Sequence, residues 1–134
     1  MGPLDDQVVR ADSLTATHDG LDIAIYSHWY RALPLPSLVK ADLTVDGRPV
    51  DTSTLSVTVN GHRYPFEALA EKGDEYWFTT DPVVLHVPVE TAPGREHQVQ
   101  LLLGLSIPYI LTGPDRVPLV APSRTDKTLT AAGA

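Results

Sequence analysis

The chain has 134 residues, no cysteine, and a formal net charge of −7 from ten Lys and Arg against seventeen Asp and Glu. This length suits one domain whose core needs no disulfide or metal, and the missing thiols exclude disulfides, thiolate zinc sites and a cysteine nucleophile. The acidic balance disfavours nucleic acid as a partner. No apolar run is long enough to cross a bilayer and residues 1–12 lack an export pattern, so we expect a cytoplasmic protein without a membrane partner.

Twelve prolines break up the sequence, which disfavours long helices and favours strands. The first predicted strand is "LDIAIY" (21–26), where apolar residues alternate with others at a period of two. The segment "LVKADLTV" (38–45) repeats this pattern and runs into Asp46-Gly47, a favoured tight-turn pair. The segment "LSVTV" (55–59) precedes Asn60-Gly61 in the same way. Two hairpins are therefore predicted, returning through residues 48–50 and 62–64.

The second half of the chain continues the strand pattern after one short helical segment. "FEALAEKG" (66–73) follows Pro65 and ends at a glycine, which predicts the only helix, of one or two turns. Three more strands are predicted at "EYWFTT", "PVVLHVPV" and "HQVQLLLGL". "SIPYILTG" (106–113) is expected at a sheet edge or a bulge, because Pro108 lacks the amide that a central strand needs.

These short strands, spaced by turns, predict an all-β fold: an antiparallel two-sheet β-sandwich, or jelly-roll-like fold, with at most one short helix. We expect residues 1–20 to be an N-terminal segment and residues 21–112 to be the sandwich domain. Residues 113–134 show no sustained period and are rich in Pro, Thr and Ala. They are predicted to be an extended C-terminal arm or a disordered tail.

The sequence contains no recognisable catalytic or metal-binding motif. The five histidines show no His-x-His pair, and the alternation of "VVLHV" places His86 outward, so we expect His62, His86 and His97 to be solvated or half-buried. Neither a Gly-x-Ser-x-Gly elbow nor a glycine-rich phosphate loop occurs. The chain is therefore predicted to have no catalytic residues and no metal ligands of its own.

Aromatic residues concentrate in "YSHWYRALPLP" (26–36), which holds three of the nine Phe, Trp and Tyr residues. Strict alternation cannot bury all of them, and Trp, Tyr and Arg are the residues enriched at binding hot spots. We therefore predict a partner interface or active-site rim made of Tyr26, His28, Trp29, Tyr30, Arg31, Leu33, Pro34 and Tyr109. In the alternative interpretation Trp29 anchors the core, Arg31 caps carbonyl groups and the proline segment only turns a corner.

The order and spacing of five sequence blocks resemble the small, β subunit of bacterial C-glycoside deglycosidases. The resemblance covers about residues 21–111. The blocks are "YSHWYRALPLP" (26–36), "LTVDGRPV" (43–50), "VTVNGHRY" (57–64), "EYWFTTDPVVLHV" (75–87) and "GREHQVQLLLGLSIPYI" (94–110).

The resemblance implies a β-sandwich subunit bound to a larger α subunit with a TIM-barrel-like fold. Such pairs cleave the carbon–carbon bond between an aromatic aglycone and a 3-oxo sugar. A ketone at C3 acidifies the C2 proton, so a base can form an enolate and the aromatic carbon can leave C1 as it gains a proton. A divalent metal, expected to be Mn²⁺, stabilises such an enolate. The resemblance places it in the α subunit and implies no cofactor in this chain.

Two other functions are compatible with these residues. A carbohydrate-binding β-sandwich module would use Trp29, Tyr30 or Trp77 as a stacking platform, although such modules usually act outside the cell. A scaffold or adhesion-type sandwich would have no role near chemistry. An apolar, aromatic surface covered by another chain would favour the deglycosidase subunit.

Overall fold

The computed structural model describes residues 7–133, and nearly all of its regular structure is strand. The strands are β1 (Val9–Thr17), β2 (Gly20–Ile25), β3 (Leu33–Pro34), β4 (Leu38–Val45), β5 (Arg48–Pro49), β6 (Ser56–Val59), β7 (His62–Pro65), β8 (Tyr76–Trp77), β9 (Val83–Val87), β10 (Glu96–Thr112), β11 (Val117–Thr130) and β12 (Ala132–Gly133). The predicted helix is a 3₁₀ helix, Phe66–Glu71, and two three-residue 3₁₀ turns lie at Leu35–Ser37 and Thr52–Thr54. The all-β prediction is confirmed.

Two sheets form the body of the molecule. One has the order β12-β1-β2-β9-β6-β7 and the other β11-β10-β4-β5, while β3 and β8 form a small separate pair. Neighbouring strands are antiparallel except for β1 and β12, which are parallel. The chain leaves β11 at the edge of one sheet and enters β12 at the edge of the other, so it connects the two sheets along that side.

The core lies between the two sheets and follows the predicted alternation. Alternate residues of β2 and β9 are buried in one cluster, and β4 follows the same alternation from Ala41 onward, as does β10 between Val99 and Leu103. The inward residues of β10 are Val99, Leu101, Leu103, Leu105 and Ile107. A period of two in sequence therefore becomes one buried face on each sheet.

Both predicted tight turns are present. Asp46 and Gly47 have φ of 53° and 80°, and Asn60 and Gly61 have φ of 54° and 80°. Positive φ at both central residues gives the turn the twist of the flanking strands. The first turn closes the pair Val45↔Arg48, so β4 and β5 form a hairpin as predicted. The second closes β6 and β7 in the same way.

The two ends of the described chain differ from the sequence expectation. Residues 9–17 form β1, which pairs with β2, where only an N-terminal segment was expected. Residues 117–130 form β11, which pairs with β10, where an extended arm or a disordered tail was expected. β11 is an edge strand whose inner face carries polar Ser123 and Thr125. The apolar alternation that begins at Val117 therefore does not continue to these two positions. The division into three segments stays a prediction.

β10 continues through Pro108 to Thr112 instead of ending at residue 105. Its register against β11 shifts between Ile107 and Leu111, so the proline falls at the irregularity predicted for it. Along residues 7–133, no helix combines the length and apolar character that a bilayer crossing requires.

Candidate partner-binding surface

The hairpin of β10 and β11 is longer than the sheet to which it belongs. β4 pairs with β10 only as far as Leu38↔Leu105, whereas β11 pairs with β10 up to Val117↔Thr112. Residues 106–120, here called the hairpin tip, therefore include a two-stranded ribbon without a third strand beside it. Ribbons of two strands are marginally stable in water unless something packs against them.

Exposed apolar side chains gather on and around the hairpin tip. Eight large apolar side chains are exposed among the described residues, and six of them lie here. They are Tyr109 (46% exposed), Leu111 (45%), Val117 (54%) and Val120 (48%) on the tip, with Tyr30 (66%) and Val39 (50%) beside it. Val39 and Val120 both approach Gly104, which places them next to each other on the outer sheet face. Such a concentration is typical of a protein interaction surface.

The aromatic segment after β2 meets this ribbon. Ser27 is buried, and its hydroxyl accepts a hydrogen bond of 3.1 Å from the backbone amide of Trp29. The Trp29 indole packs partly against the core and donates from Nε1 to the Tyr109 hydroxyl at 2.6 Å. The rings of Trp29 and Tyr30 lie 5.1 Å apart, and the Arg31 guanidinium lies 5.0 Å from the centre of the Tyr109 ring. Four predicted site residues therefore form one cluster: Trp29, Tyr30, Arg31 and Tyr109.

The two tyrosines of this cluster have pKa values displaced in opposite directions. The pKa of Tyr30 is raised, first by its hydrogen bond to Tyr109 and then by the negative charge that Tyr109 acquires on ionising. Desolvation raises the pKa of Tyr109, but hydrogen bonds from Trp29 and Tyr30 and the charge of Arg31 outweigh it and lower the value. Tyr109 is therefore the easier of the two tyrosines to ionise, and Tyr30 keeps its proton to higher pH.

Two further predicted residues attach the segment to neighbouring strands. The Arg10 guanidinium of β1 lies 3.5 Å from the centre of the Tyr26 ring. His28 donates from Nε2 to the Ala121 carbonyl of β11 at 2.9 Å. These contacts fix the segment at the sandwich edge where β1 and β11 run, next to the hairpin tip.

The structure separates Leu33 from the predicted surface. β3 pairs with β8 through Leu33↔Trp77 and Pro34↔Tyr76, and the Leu33 side chain is buried in the core. Leu33 is therefore corrected to a core residue, because the pairing with β8 turns its side chain inward. Pro34 is half-buried. Trp77 is buried as well, which removes it as a stacking platform for sugars.

Sequence reasoning missed the apolar residues of the hairpin tip beyond Tyr109, and it missed Arg10. A signal was present: Val117, Leu119 and Ala121 alternate along "VPLVAP", and Gly113-Pro114 marks the preceding turn. The prolines at 118 and 122 concealed this strand, yet β11 is an edge strand and tolerates them.

Two histidines, His86 and His97, take part in hydrogen-bond networks within the sheets. His86 lies on an outward face as predicted, where Nδ1 is 2.8 Å from Asp22 Oδ1 and Nε2 is 2.7 Å from the Thr58 hydroxyl. These contacts join three adjacent strands, β2, β9 and β6. His97 is fully buried, contrary to the expectation that it is solvated or half-buried, because it occupies an inward position of β10.

The environment of His97 accounts for its burial. Its Nδ1 lies 2.7 Å from Asp46 Oδ2 and its Nε2 lies 2.7 Å from the Thr91 hydroxyl, so both ring nitrogens have partners. Desolvation raises the pKa of Asp46, but hydrogen bonds from His97 and from the Gln98 amide outweigh it and lower the value. Within residues 7–133, no three His, Asp or Glu side chains are grouped as ligands for a metal ion.

Comparisons with known proteins converge on one family. A family model described as "C-glycoside deglycosidase beta subunit" matches residues 4–109. A protein from Microbacterium trichothecenolyticum named "C-glycoside deglycosidase beta subunit" is 32% identical over 96% of this chain and 98% of its own length.

Two further relatives extend the match. A protein with the same name from Arthrobacter globiformis is 36% identical over 80% of this chain and 82% of its own length. A "3'-dehydrocarminate deglycosidase beta subunit" from a Microbacterium species is 31% identical over 78% and 80%. The family model covers more than half of the sequence, so this chain belongs to the family of C-glycoside deglycosidase beta subunits.

Proposed function

We propose that the chain is the β subunit of a hetero-oligomeric C-glycoside deglycosidase and acts there as an accessory, non-catalytic subunit. The complex would cleave the carbon–carbon bond between an aglycone and a 3-oxo sugar. The relatives are named as beta subunits of deglycosidases, and one is named for a 3'-dehydro substrate, which supports a sugar oxidised at that position.

The observation that carries this proposal is the apolar surface at the hairpin tip and the aromatic cluster beside it. An exposed surface of this kind on an otherwise acidic chain is best explained by a partner protein that covers it. Arg31 lies beside the Tyr109 ring at this surface, and its charge would be complemented by an acidic group of the partner. We identify that partner as the larger α subunit with a TIM-barrel-like fold.

Within this surface, Trp29 and Tyr30 are the proposed anchors. Their rings are in contact, and the hydrogen bond from Trp29 to Tyr109 holds the indole before any partner arrives. Pro34 and Pro36 restrict φ after the segment, so the chain loses less conformational entropy when it binds. Tyr26 and His28 hold the segment against β1 and β11 from behind.

The chemistry of C–C cleavage is assigned to the α subunit. A base must take the C2 proton next to the C3 ketone, and the enolate then expels the aromatic carbon from C1 while that carbon gains a proton. The described residues of this chain assemble no cluster suited to a divalent metal. The family resemblance supports the proposal that the base and the Mn²⁺ expected for this reaction lie in the partner.

The test is reconstitution of the pair. This chain is produced together with an α subunit of a C-glycoside deglycosidase, and aglycone release from a 3-oxo C-glucoside is measured for the pair and for each chain alone. We expect a stable complex, with cleavage only by the pair. Cleavage by this chain alone, submicromolar stoichiometric Mn²⁺ binding to it, or failure of the two chains to associate would contradict the proposal.

A further inference from the structure

A second group of exposed aromatic residues lies away from the hairpin tip, at a groove between the β6–β7 hairpin and β8. Tyr76 and Phe78 are 44% and 48% exposed, and along residues 7–133 they are the two large exposed apolar side chains outside the surface described above. They line a groove of about 570 Å³ together with Asn60, His62, Tyr64, Lys72, Asp74 and Glu75.

Glu75 is the centre of this groove. Its Oε1 accepts a hydrogen bond of 2.5 Å from the Tyr64 hydroxyl. Its Oε2 lies 3.1 Å from Asn60 Nδ2 and 3.2 Å from His62 Nδ1. The Glu75 side chain is 16% exposed, so it is mostly enclosed by its partners but still lines the groove. The hydrogen bond from Tyr64, ahead of those from Asn60 and His62, lowers the pKa of Glu75, which therefore remains an acceptor at neutral pH.

Asn60 is oriented in the same network. Its amide nitrogen donates to Glu75 and, at 2.8 Å, to the backbone carbonyl of Tyr76, which fixes the plane of the side chain. The amide oxygen is then directed away from these partners and is available as an acceptor. The Asn60 side chain sits on the tight turn that the Asn-Gly pair forms, so a rigid backbone supports it.

The aromatic side chains supply the complementary apolar surface. Tyr76 and Phe78 are two residues apart in an extended segment whose intervening residue, Trp77, is buried, so both face the groove about 7 Å apart. An apolar floor of this kind beside fixed carboxylate and amide acceptors suits a ligand with an apolar face and several hydroxyl groups. A sugar ring has both features.

We propose that this groove binds the pyranose ring of a neutral glycoside. Tyr76 and Phe78 contact the apolar face of the ring, and Glu75 and Asn60 accept hydrogen bonds from its hydroxyl groups. The site belongs to this subunit, and it is separate from the surface proposed for the α subunit. The groove would hold the sugar part of a glycoside on the β subunit. Binding of the sugar by this subunit goes beyond the accessory role proposed above.

The experiment is an NMR titration of the ¹⁵N-labelled full chain with methyl β-D-glucopyranoside. The variants are Phe78→Ala and Glu75→Gln, and the matched control is Tyr30→Ala, which removes an exposed aromatic ring from the other surface. We expect saturable shifts of the amides of residues 60–64 and 74–78. Each groove variant should raise the dissociation constant for the glucoside by about fivefold or more. Tyr30→Ala should leave this constant unchanged.

Pairing with the α subunit is measured for the same variants. Normal pairing of Phe78→Ala and Glu75→Gln together with weakened glucoside binding supports the proposal. Loss of pairing in these two variants would identify the groove as part of the subunit interface and overturn the sugar site. Shifts that do not saturate, or that cluster around residues 29–31, would also overturn it. The glucoside titration and the pairing measurement can both be interpreted whether or not the paired enzyme is active.

Discussion

Two short aromatic segments of similar composition differ in how deeply their tryptophans are buried. In "WYR" (29–31) the tryptophan is only partly buried, and its indole nitrogen donates to the Tyr109 hydroxyl at the surface. In "YWF" (76–78) the tryptophan is 2% exposed, and its indole nitrogen donates to the Asp81 carbonyl at 2.9 Å. The first segment builds a surface and the second anchors a core.

The difference arises from the backbone on which each segment lies. Trp77 belongs to β8, and its pairing with Leu33 sends its ring inward while Tyr76 and Phe78 turn outward. The 29–31 segment lies in bends between β2 and β3, so no strand alternation separates its side chains. Strand geometry therefore divides one aromatic run between core and surface, whereas an irregular segment keeps its aromatic residues on one side.

The largest effect is expected from removal of the buried indole. Trp77→Ala should lower the free energy of unfolding by about 3–5 kcal/mol, because it leaves a large cavity in the core and removes a hydrogen bond. Urea unfolding of the isolated chain measures this loss. Phe78→Ala is the matched control and should change the unfolding free energy by less than about 1 kcal/mol. Equal effects of the two variants would break the distinction between core and surface residues in this segment.

Next in size is the effect of Tyr30→Ala on pairing. If Tyr30 is an interface anchor, its loss should weaken binding to the α subunit by about 2 kcal/mol, or roughly thirtyfold in dissociation constant. The stability of the isolated chain should not change, because the ring is exposed. Calorimetry or surface plasmon resonance gives the affinity. Tyr76→Ala serves as the control that should pair normally, and a wild-type affinity for Tyr30→Ala would remove this cluster from the interface.

A smaller effect is expected at the hairpin tip. Leu111→Ser and Val117→Ser each remove exposed apolar area that a partner would cover, and together they should weaken pairing by about tenfold. Thermal unfolding of the isolated chain should stay near that of the wild type. The same affinity measurement checks this. Should the double variant bind as tightly as the wild type, the interface would be confined to the aromatic cluster.

The smallest effect concerns pH and Glu75. Hydrogen bonds from Tyr64 and then from Asn60 and His62 lower the pKa of Glu75, so its ionised form stabilises the fold. This contribution is fully present above the unfolded value of about 4.3 and is lost as pH falls through the lower folded value. The stability difference between wild type and Glu75→Gln should therefore stay constant above about pH 4.3 and shrink as pH falls below that value. Urea unfolding measures this stability difference. If it does not change with pH, the charge of Glu75 does not contribute to stability.

Much of the fold could be read from local patterns in the sequence. Alternation at 21–26 and 38–45, and the pairs Asp46-Gly47 and Asn60-Gly61, predicted strands and turns that the structure contains. These patterns depend only on residues that are close together in the chain. They can therefore be recognised in the sequence without knowledge of the tertiary structure. The quoted blocks likewise identified the family that the comparisons show.

Only the tertiary structure decided which residues share a surface. β11 is an edge strand whose inward residues are polar at Ser123 and Thr125, so the short apolar alternation before them did not reveal its place beside β10. Tyr109 is 80 residues from Trp29, and only the course of β10 brings them into contact. Leu33 became core through its pairing with Trp77. Local pattern fixes which face of a strand is apolar, but long-range pairing determines which strands, and therefore which side chains, meet.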